Sequence, residues 1–180
     1  MRLWLVRHPR PDVPDGCCYG RTDLPPDSLD LERVLAQLQA AGLPGAMPVI
    51  ASPLARSATL AHRLAPRPRF DARLAEMDFG AWEMRPWDDI PRAEVDAWNA
   101  NLLDYRPGGG ESVMMVAARV AAFRAELAQA GIDGVLLVCH AGTMRLLAAL
   151  HDGGSVREAA LRAASTPHRI AYGEAMLLKS

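Results

Sequence analysis

The sequence predicts a single-domain α/β protein, in which a mostly parallel central sheet carries helices on both faces. Residues 3–6 and 135–139 are apolar throughout, which is typical of strands buried on both faces. Segments with the periodicity of amphipathic helices alternate with such runs, and this order favours a parallel sheet. The 180 residues contain no repeat, low-complexity tract or long linker, so we expect one domain over residues 1–180.

Three further elements are predicted between the strand at 3–6 and residue 65. Residues 27–42 are predicted to form a helix, because apolar residues recur at i, i+3, i+4 and i+7 and Gly42 can end it. Residues 49–51 are predicted to form a short strand. Ser52 then has the features of an N-cap, with Pro53 at the first position of a helix to about residue 65.

The second half continues the alternation. Ser112 is a candidate N-cap for a long amphipathic helix that begins at residue 113 and follows the glycine-rich loop 107–110. The strand at 135–139 follows it. The other predicted elements are a strand over 69–74, helices over 89–103, 143–150 and 155–164, and a final strand or hairpin over 170–178.

Charged and imidazole side chains follow three of the predicted strands. Arg7 and His8 follow the first strand, Arg56 lies in the first turn of the helix after the second, and His140 follows the strand that ends at residue 139. Ligands of parallel sheets bind beyond the carboxyl ends of the strands. Arginine forks and helix N-termini both suit phosphate oxygens. We therefore expect a cationic, phosphate-binding pocket at this edge.

Composition excludes several classes of partner and ligand. The net charge of −1 indicates neither a nucleic-acid nor a membrane partner, and no secretory signal or membrane-length apolar run is present. An odd count of three cysteines, Cys17, Cys18 and Cys139, favours a reduced cytoplasmic protein. No group of residues has metal-ligand or nucleotide-loop spacing, so neither a metal nor another cofactor is expected. His62, His151 and His168 are expected at the surface.

Four ordered motifs resemble those of the histidine phosphatases, the superfamily that includes the phosphoglycerate mutases. They are Leu-Val-Arg-His at 5–8, Ala-Ser-Pro-Leu-Ala-Arg-Ser-Ala-Thr at 51–59, Glu-Met-Asp-Phe-Gly-Ala-Trp-Glu at 76–83 and Val-Cys-His-Ala-Gly at 138–142. The glycine-rich loop ending in Glu-Ser at 107–112 also fits. The resemblance covers nearly the whole chain and implies a phosphoglycerate mutase-like fold.

The resemblance also implies a role for each motif residue. His8 is the implied nucleophile, Arg7, Arg56 and His140 are implied phosphate ligands, and Glu76 is the implied acid and base. The residue types suit the chemistry, because phosphoryl transfer needs stabilisation of charge on three equatorial oxygens and histidine can be neutral near pH 7. Attack by His8 gives a phosphohistidine. Glu76 must carry a proton at first, gives it to the leaving alkoxide and then takes one from water.

Two positions depart from the family pattern. Pro9 stands where the family usually has glycine, and the asparagine that normally contacts the phosphoryl group is missing from residues 10–15. The candidates to replace it are Arg10, Arg21 and the backbone around Tyr19 and Gly20. These departures keep a second hypothesis open, in which the chain is a non-catalytic member of the family that binds phosphorylated ligands or acts as an interaction module.

The substrate class also follows from resemblance. The interval between Glu76 and His140 lacks the insertion of the phosphoglycerate mutases, which favours a phosphatase because an open site admits water. The segment Cys-Tyr-Gly-Arg-Thr-Asp at 18–23 and the compact size resemble the alpha-ribazole phosphatases of cobalamin biosynthesis. The predicted substrate is a small phosphorylated metabolite such as alpha-ribazole 5'-phosphate, and the predicted substrate contacts are Tyr19, Gly20, Arg21 and Ala141.

Three questions stay open at this stage. Trp82, Trp87 and Trp98, with Tyr19, either line a pocket for an aromatic group or pack between loops and helices. The predicted helix at 89–103 is a candidate face for a homodimer. A mutase remains the third functional hypothesis, after the phosphatase and the non-catalytic member, and it predicts dependence on a bisphosphate primer.

Overall fold

The fold is built on a central sheet of five strands. A computed structural model of the chain describes residues 1–43, 47–167 and 169–179. Within these ranges the strands lie in the order β3-β2-β4-β1-β5: β1 (Arg2–Arg7), β2 (Val49–Ala51), β3 (Arg69–Phe70), β4 (Gly134–Cys139) and β5 (Ala175–Lys179). All pairings are parallel except that of β5, which runs antiparallel to β1. The predicted, mostly parallel sheet is confirmed.

Helices cover both faces of this sheet. The α-helices of the described ranges are α1 (Ser28–Ala40), α2 (Ala55–Leu64), α3 (Arg92–Ala100), α4 (Val113–Gln129), α5 (Ala141–His151) and α6 (Val156–Ser165). Alternate strand residues point to opposite faces. Val6 and Val138 pack with α1 and α2, whereas Leu5, Leu137 and Cys139 pack with α4, α5 and α6. The α/β class and the two helical layers are therefore as predicted.

The start of α2 differs from the prediction. Ser52 does not cap this helix, since Leu54 occupies the N-cap position and the helix begins only at Ala55. The first free N–H is satisfied from a distant loop, because Ala55 N donates to Asp23 Oδ1 at 2.6 Å. A cap supplied from elsewhere in the chain has no local sequence signal, and it leaves the Ser52 hydroxyl available to the site described below.

Two other elements are shorter than predicted. The strand expected over 69–74 ends after Phe70, because the Asp71 carboxylate accepts the N–H of Arg73 at 2.9 Å and starts a 3-10 turn over Ala72–Leu74. The helix expected over 89–103 spans only Arg92–Ala100. Pro91 explains its late start, since the residue before a proline avoids helical backbone and Ile90 is extended.

The remaining helix and strand predictions hold to within a few residues. Ser112 caps α4 by accepting Met115 N at 3.3 Å, and Ser155 forms a capping box with Glu158 at the start of α6. His62 is exposed as expected, whereas His151 is half-buried and bonded to the Lys179 carbonyl; His168 lies outside the described residues. No helix in the described ranges is both long and apolar enough to cross a bilayer. The homodimer stays a prediction.

Candidate active site

The two histidines of the predicted site lie side by side at the carboxyl ends of β1 and β4. The parallel register pairs Arg7 with Cys139, and His8 N donates to Cys139 O at 3.0 Å. His8 and His140 follow these strands, so their ring centroids lie only 4.9 Å apart. Both side chains are buried. Topology therefore brings together residues that are far apart in sequence.

The His8 ring has one nitrogen free for chemistry. Its Nδ1 lies 2.6 Å from the backbone oxygen of Pro9, which can only accept a hydrogen bond, so the neutral ring carries its proton on Nδ1. The Nε2 atom therefore keeps its lone pair. Burial lowers the pKa of His8 well below 6.5, and the charges of Arg56 and Arg7 lower it further. The ring is neutral near pH 7 and suited to nucleophilic attack through Nε2.

His140 is oriented by a hydroxyl that the sequence had suggested for a helix cap. The Nε2 atom of His140 lies 2.8 Å from Ser52 Oγ, and this oxygen also accepts the N–H of Leu54 at 3.3 Å. The Ser52 proton can then point to Nε2, which places the ring proton on Nδ1. That Nδ1 is buried and has no hydrogen-bond partner among the described residues. The arrangement leaves one N–H donor for a bound oxygen.

Both histidines lie in an environment that disfavours their protonation. Burial lowers the pKa of His140 well below 6.5, and the proximity of His8 and of Arg56 lowers it further. His140 also stands at the N-cap position of α5, where the positive end of the helix dipole opposes a second positive charge. The same features favour a bound anion.

Arg56 is fully buried and held by the loop that precedes α1. Its Nη1 donates to Thr22 O at 2.8 Å, and its Nη2 donates to Gly20 O. Glycine at position 20 lets this loop pack against residues 77–79, because a Cβ here would lie 1.9 Å from Met77 O. Tyr19, next to Gly20, lies beneath the guanidinium, with its ring centroid 5.4 Å from Cζ. The predicted loop residues Tyr19 and Gly20 thus fix the position of Arg56.

Arg7 is held by the segment that leads into β5. Its guanidinium stacks on the Tyr172 ring at 3.9 Å, and Nη1 donates to Ile170 O at 2.5 Å. The Tyr172 and Tyr19 hydroxyls lie 2.7 Å apart, which links the supports of both arginines. Sequence reasoning missed Tyr172, because it lies outside every motif and reaches the site only through the antiparallel pairing of β5 with β1.

Glu76 lies in the loop after the 3-10 turn Ala72–Leu74 and lines the same cavity as His8. Its Oε2 accepts the N–H of Gly142 at 3.2 Å, and its Oε1 accepts the N–H of Met77 at 3.0 Å. A Cβ at Gly142 would lie 2.5 Å from Glu76 Oε1, so the carboxylate can reach the start of α5 only because residue 142 is glycine. A carboxyl group is thus held against the helix that His140 caps.

One cavity of about 590 Å³ joins a polar floor to an apolar wall, and it is lined by His8, Glu76 and both arginines but not by His140. Tyr19 and Ala141, predicted as substrate contacts, are among its lining residues. The floor includes Arg7, His8, Arg56 and Glu76, and the wall includes Phe79, Trp87, Trp98, Leu102 and Val113. Trp82 is not part of the wall: it is buried behind it, and its indole N–H donates to Glu94 at 2.6 Å.

Two arginines suggested as substitutes for the missing asparagine point away from the cavity. Arg21 is 46% exposed, lies 3.8 Å from the Glu111 carboxylate and is not part of the cavity lining. Its backbone N–H donates to Glu83 at 2.7 Å. Arg10 pairs with Asp15 at 2.7 Å on the surface. The structure therefore does not bring Arg21 to the substrate cavity, in contrast to the prediction.

The buried histidines predict a specific loss of stability in acid. In the unfolded chain both histidines have a pKa near 6.5, whereas in the folded chain both pKa values are well below this. Between these values the unfolded state binds more protons than the folded state, so acid favours unfolding. We expect the free energy of unfolding to fall by about 1 kcal/mol per pH unit for each histidine below pH 6.5. Urea unfolding between pH 7.5 and 5.5 measures this slope. His140→Asn should flatten it, and a variant with the full wild-type slope would contradict the prediction.

Comparisons with known proteins agree with this geometry. The chain matches the histidine phosphatase superfamily (branch 1) over residues 3–167. It is 30% identical over 160 residues to the adenosylcobalamin/alpha-ribazole phosphatase of Escherichia coli (strain K12), which covers 83% of this chain and 78% of that protein.

Two solved structures extend the likeness to the whole fold. The alpha-ribazole phosphatase of Shigella flexneri superposes with a TM-score of 0.81 at 27% identity, covering 99% of this chain and 90% of that chain. A mycobacterial glucosyl-3-phosphoglycerate phosphatase superposes with a TM-score of 0.80 at 27% identity, covering 99% and 89%. With its motifs, its fold and these relatives in agreement, the chain belongs to the histidine phosphatase superfamily, branch 1, and is a phosphatase of that family.

Proposed function

We propose that the protein is a phosphomonoesterase that works through a phosphohistidine on His8 Nε2 and needs no metal. The observation that carries the proposal is the Nδ1 contact of His8 with the Pro9 carbonyl at 2.6 Å, which leaves Nε2 unprotonated within a ring of cationic groups. Arg7 and Arg56 supply positive charge from two sides. A cytoplasmic location is part of the proposal, and the three free cysteines support it.

In the first step, His8 displaces the alcohol from phosphorus. Arg7, Arg56 and the Nδ1–H of His140 hold the phosphoryl oxygens and stabilise their charge. The Nε2 lone pair forms a bond to phosphorus while the bond from phosphorus to the ester oxygen breaks. Protonated Glu76 gives its proton to this oxygen, so that the leaving group departs as a neutral alcohol.

In the second step, water releases the phosphate. The Glu76 carboxylate, now ionised, takes a proton from a water molecule as the water oxygen attacks phosphorus. The bond from phosphorus to Nε2 breaks, and its electron pair returns to the ring. Inorganic phosphate leaves, His8 is neutral again and Glu76 carries its proton for the next cycle.

The apolar wall supports a substrate whose alcohol carries a flat aromatic group. Phe79, Trp87 and Trp98 line the cavity beside the polar floor, and the Phe79 ring stands edge-on to both indoles, with centroids about 6 Å away. Aromatic side chains bind flat heterocycles through their faces. Alpha-ribazole 5'-phosphate has such a base on its ribose, and the named function of the Escherichia coli relative supports this choice.

Hydrolysis assays with EDTA test the proposal directly. We expect release of phosphate from alpha-ribazole 5'-phosphate with a higher kcat/KM than from glycerol 3-phosphate or from glucosyl-3-phosphoglycerate, the substrate class named for the mycobacterial relative. Inhibition by EDTA would contradict the metal-free route. Activity only with a bisphosphate primer would favour a mutase, and phosphate binding without turnover would favour a non-catalytic role.

Shortening Trp98 tests the aromatic subsite separately. In Trp98→Ala we expect kcat/KM for alpha-ribazole 5'-phosphate to fall about 2- to 10-fold, since stacking on an aromatic face is worth roughly 0.5–1.5 kcal/mol. Glycerol 3-phosphate, which has no ring, should be hydrolysed at close to the wild-type rate by the same variant. An equal loss on both substrates would mean that Trp98 supports the fold of the wall rather than the bound base.

A further inference from the structure

A single arginine outside the cavity forms hydrogen bonds with the backbone carbonyls around Glu76. The guanidinium of Arg119, on α4, donates through Nη1 to Arg73 O at 2.7 Å and to Ala75 O at 2.8 Å, and through Nη2 to Glu76 O at 3.1 Å. Three carbonyls within four consecutive residues thus share one planar donor group. The side chain is only 16% exposed and does not line the cavity, so it is not a substrate ligand.

Glu111 completes this arrangement from the other side. Both of its carboxylate oxygens accept from Arg119, Oε1 from Nε and Oε2 from Nη2, each at 3.0 Å. Its Oε2 also accepts the N–H of Asp78 at 3.1 Å, and its own N–H donates to Asp78 O at 2.8 Å. Burial alone would raise the pKa of Glu111, but the hydrogen bonds and charge of Arg119 outweigh this and lower it. The pair is therefore ionised and held in one geometry.

The two partners hold the chain on both sides of Glu76. Arg119 binds residues before it and its own carbonyl, while Glu111 binds Asp78 two residues after it. The Glu76 carboxylate accepts the N–H of Gly142 at 3.2 Å. It is also attached to the backbone of residue 76, so its position relative to His8 depends on where that backbone lies. A misplacement of about 1 Å can cost roughly 100-fold in rate.

We propose that the Arg119–Glu111 pair is a positioning device for the acid and base of the reaction, acting through the backbone of Glu76. This inference rests on the proposed function, in which Glu76 protonates the leaving group. The planar fork of Arg119 is essential to it, because three carbonyls and a carboxylate lie in directions that one point charge cannot satisfy together. Lysine at position 119 keeps the charge and loses this geometry.

Leaving groups of different acidity separate positioning from a general structural role. The p-nitrophenolate ion leaves without a proton, whereas the alkoxide of glycerol 3-phosphate needs one, so a displaced Glu76 should slow only the second substrate. The measured quantity is kcat/KM, which reports the steps up to the first irreversible one and thus excludes the later hydrolysis of the phosphohistidine. Glu76→Gln gives the reference: we expect a loss of about 10²–10⁴-fold on glycerol 3-phosphate and a much smaller one on p-nitrophenyl phosphate.

Arg119→Lys should show the same difference between the two substrates as Glu76→Gln, but with a smaller loss of kcat/KM. We expect kcat/KM for glycerol 3-phosphate to fall at least about 10-fold more than that for p-nitrophenyl phosphate. Glu111→Gln is a milder change, and it should also lower kcat/KM more for glycerol 3-phosphate than for p-nitrophenyl phosphate. This second variant tests the inference even if Arg119→Lys does not fold. The double variant Glu76→Gln/Arg119→Lys should be no worse than Glu76→Gln alone, because residues that act as one unit are not additive. Arg157→Lys is the control, since Arg157 pairs with Asp104 on the surface at 3.1 Å.

The outcomes distinguish this inference from the proposed function. If Glu76→Gln slows both substrates equally, the acid role of Glu76 fails and the positioning role fails with it. If Glu76→Gln shows the leaving-group dependence but folded Arg119→Lys and Glu111→Gln lose both activities in equal proportion, the pair is purely structural and only the positioning inference is overturned.

Discussion

His8→Ala should abolish turnover. We expect kcat on p-nitrophenyl phosphate to fall by at least about 10⁴-fold, because the change removes the proposed nucleophile and loss of a nucleophile typically costs this much or more. The buried partner His140 cannot replace it, since its Nε2 is engaged with Ser52 at 2.8 Å. A rapidly quenched reaction should show a mass gain of one phosphoryl group in the wild type and none in the variant.

The control for this prediction is His62→Ala. His62 is an exposed histidine on α2, so the change removes the same side chain without touching the cavity. It should keep wild-type kcat and the phosphorylated intermediate. An intermediate that still forms in folded His8→Ala would mean that another residue is the nucleophile.

Arg56→Met should lower kcat/KM by about 10²–10³-fold, because it removes a preorganised positive charge from the developing charge on the phosphoryl oxygens. It should also move the acid limb of the pH profile. Burial is the main reason that the pKa of His8 is low, and the charge of Arg56 is the next. Without that charge the imidazolium is less disfavoured, so the pKa of His8 rises. Since attack requires neutral His8, activity should be lost at a higher pH than in the wild type.

The measurement is kcat/KM as a function of pH, which reports ionisations of the free enzyme. Arg63→Met is the matched control, because Arg63 lies on the same helix but pairs with Glu32 at the surface at 2.6 Å. Arg56→Met will also be less stable, by roughly 1–3 kcal/mol for each of the Gly20 and Thr22 carbonyls that loses its donor. An unchanged acid limb in folded Arg56→Met would show that Arg56 does not act on His8.

The site could be predicted where its residues directly follow a strand that the sequence itself makes recognisable. Apolar runs predicted β1 and β4, and the rule that ligands bind at the carboxyl ends of parallel strands predicted that His8 and His140 lie close together. The fold class and the family were predicted from the same segments. Exact pairings such as Nδ1 of His8 with Pro9 could not be, because they depend on distances of a few tenths of an ångström.

Two of the failures share one physical cause, which is that a partner came from a distant part of the chain. Asp23 caps α2 in place of Ser52, and Arg21 turns towards Glu111 instead of the cavity. Of the two alternatives left open for Trp82, the structure supports packing, since the side chain is buried behind the aromatic wall and Glu94 accepts its N–H. Arg119 could not be predicted from a motif. Its partners include three backbone carbonyls, which residues of any type would supply.

The bond between His8 and the Pro9 carbonyl has a consequence for how this family is recognised. The atom that fixes the ring proton of His8 on Nδ1 belongs to the main chain, and every amino acid has it, proline included. Any residue that follows His8 supplies a carbonyl oxygen of the kind that accepts this hydrogen bond. A search pattern that insists on glycine at that position would discard chains such as this one, whereas a pattern built on the two histidines, the two arginines and the carboxylate would retain them.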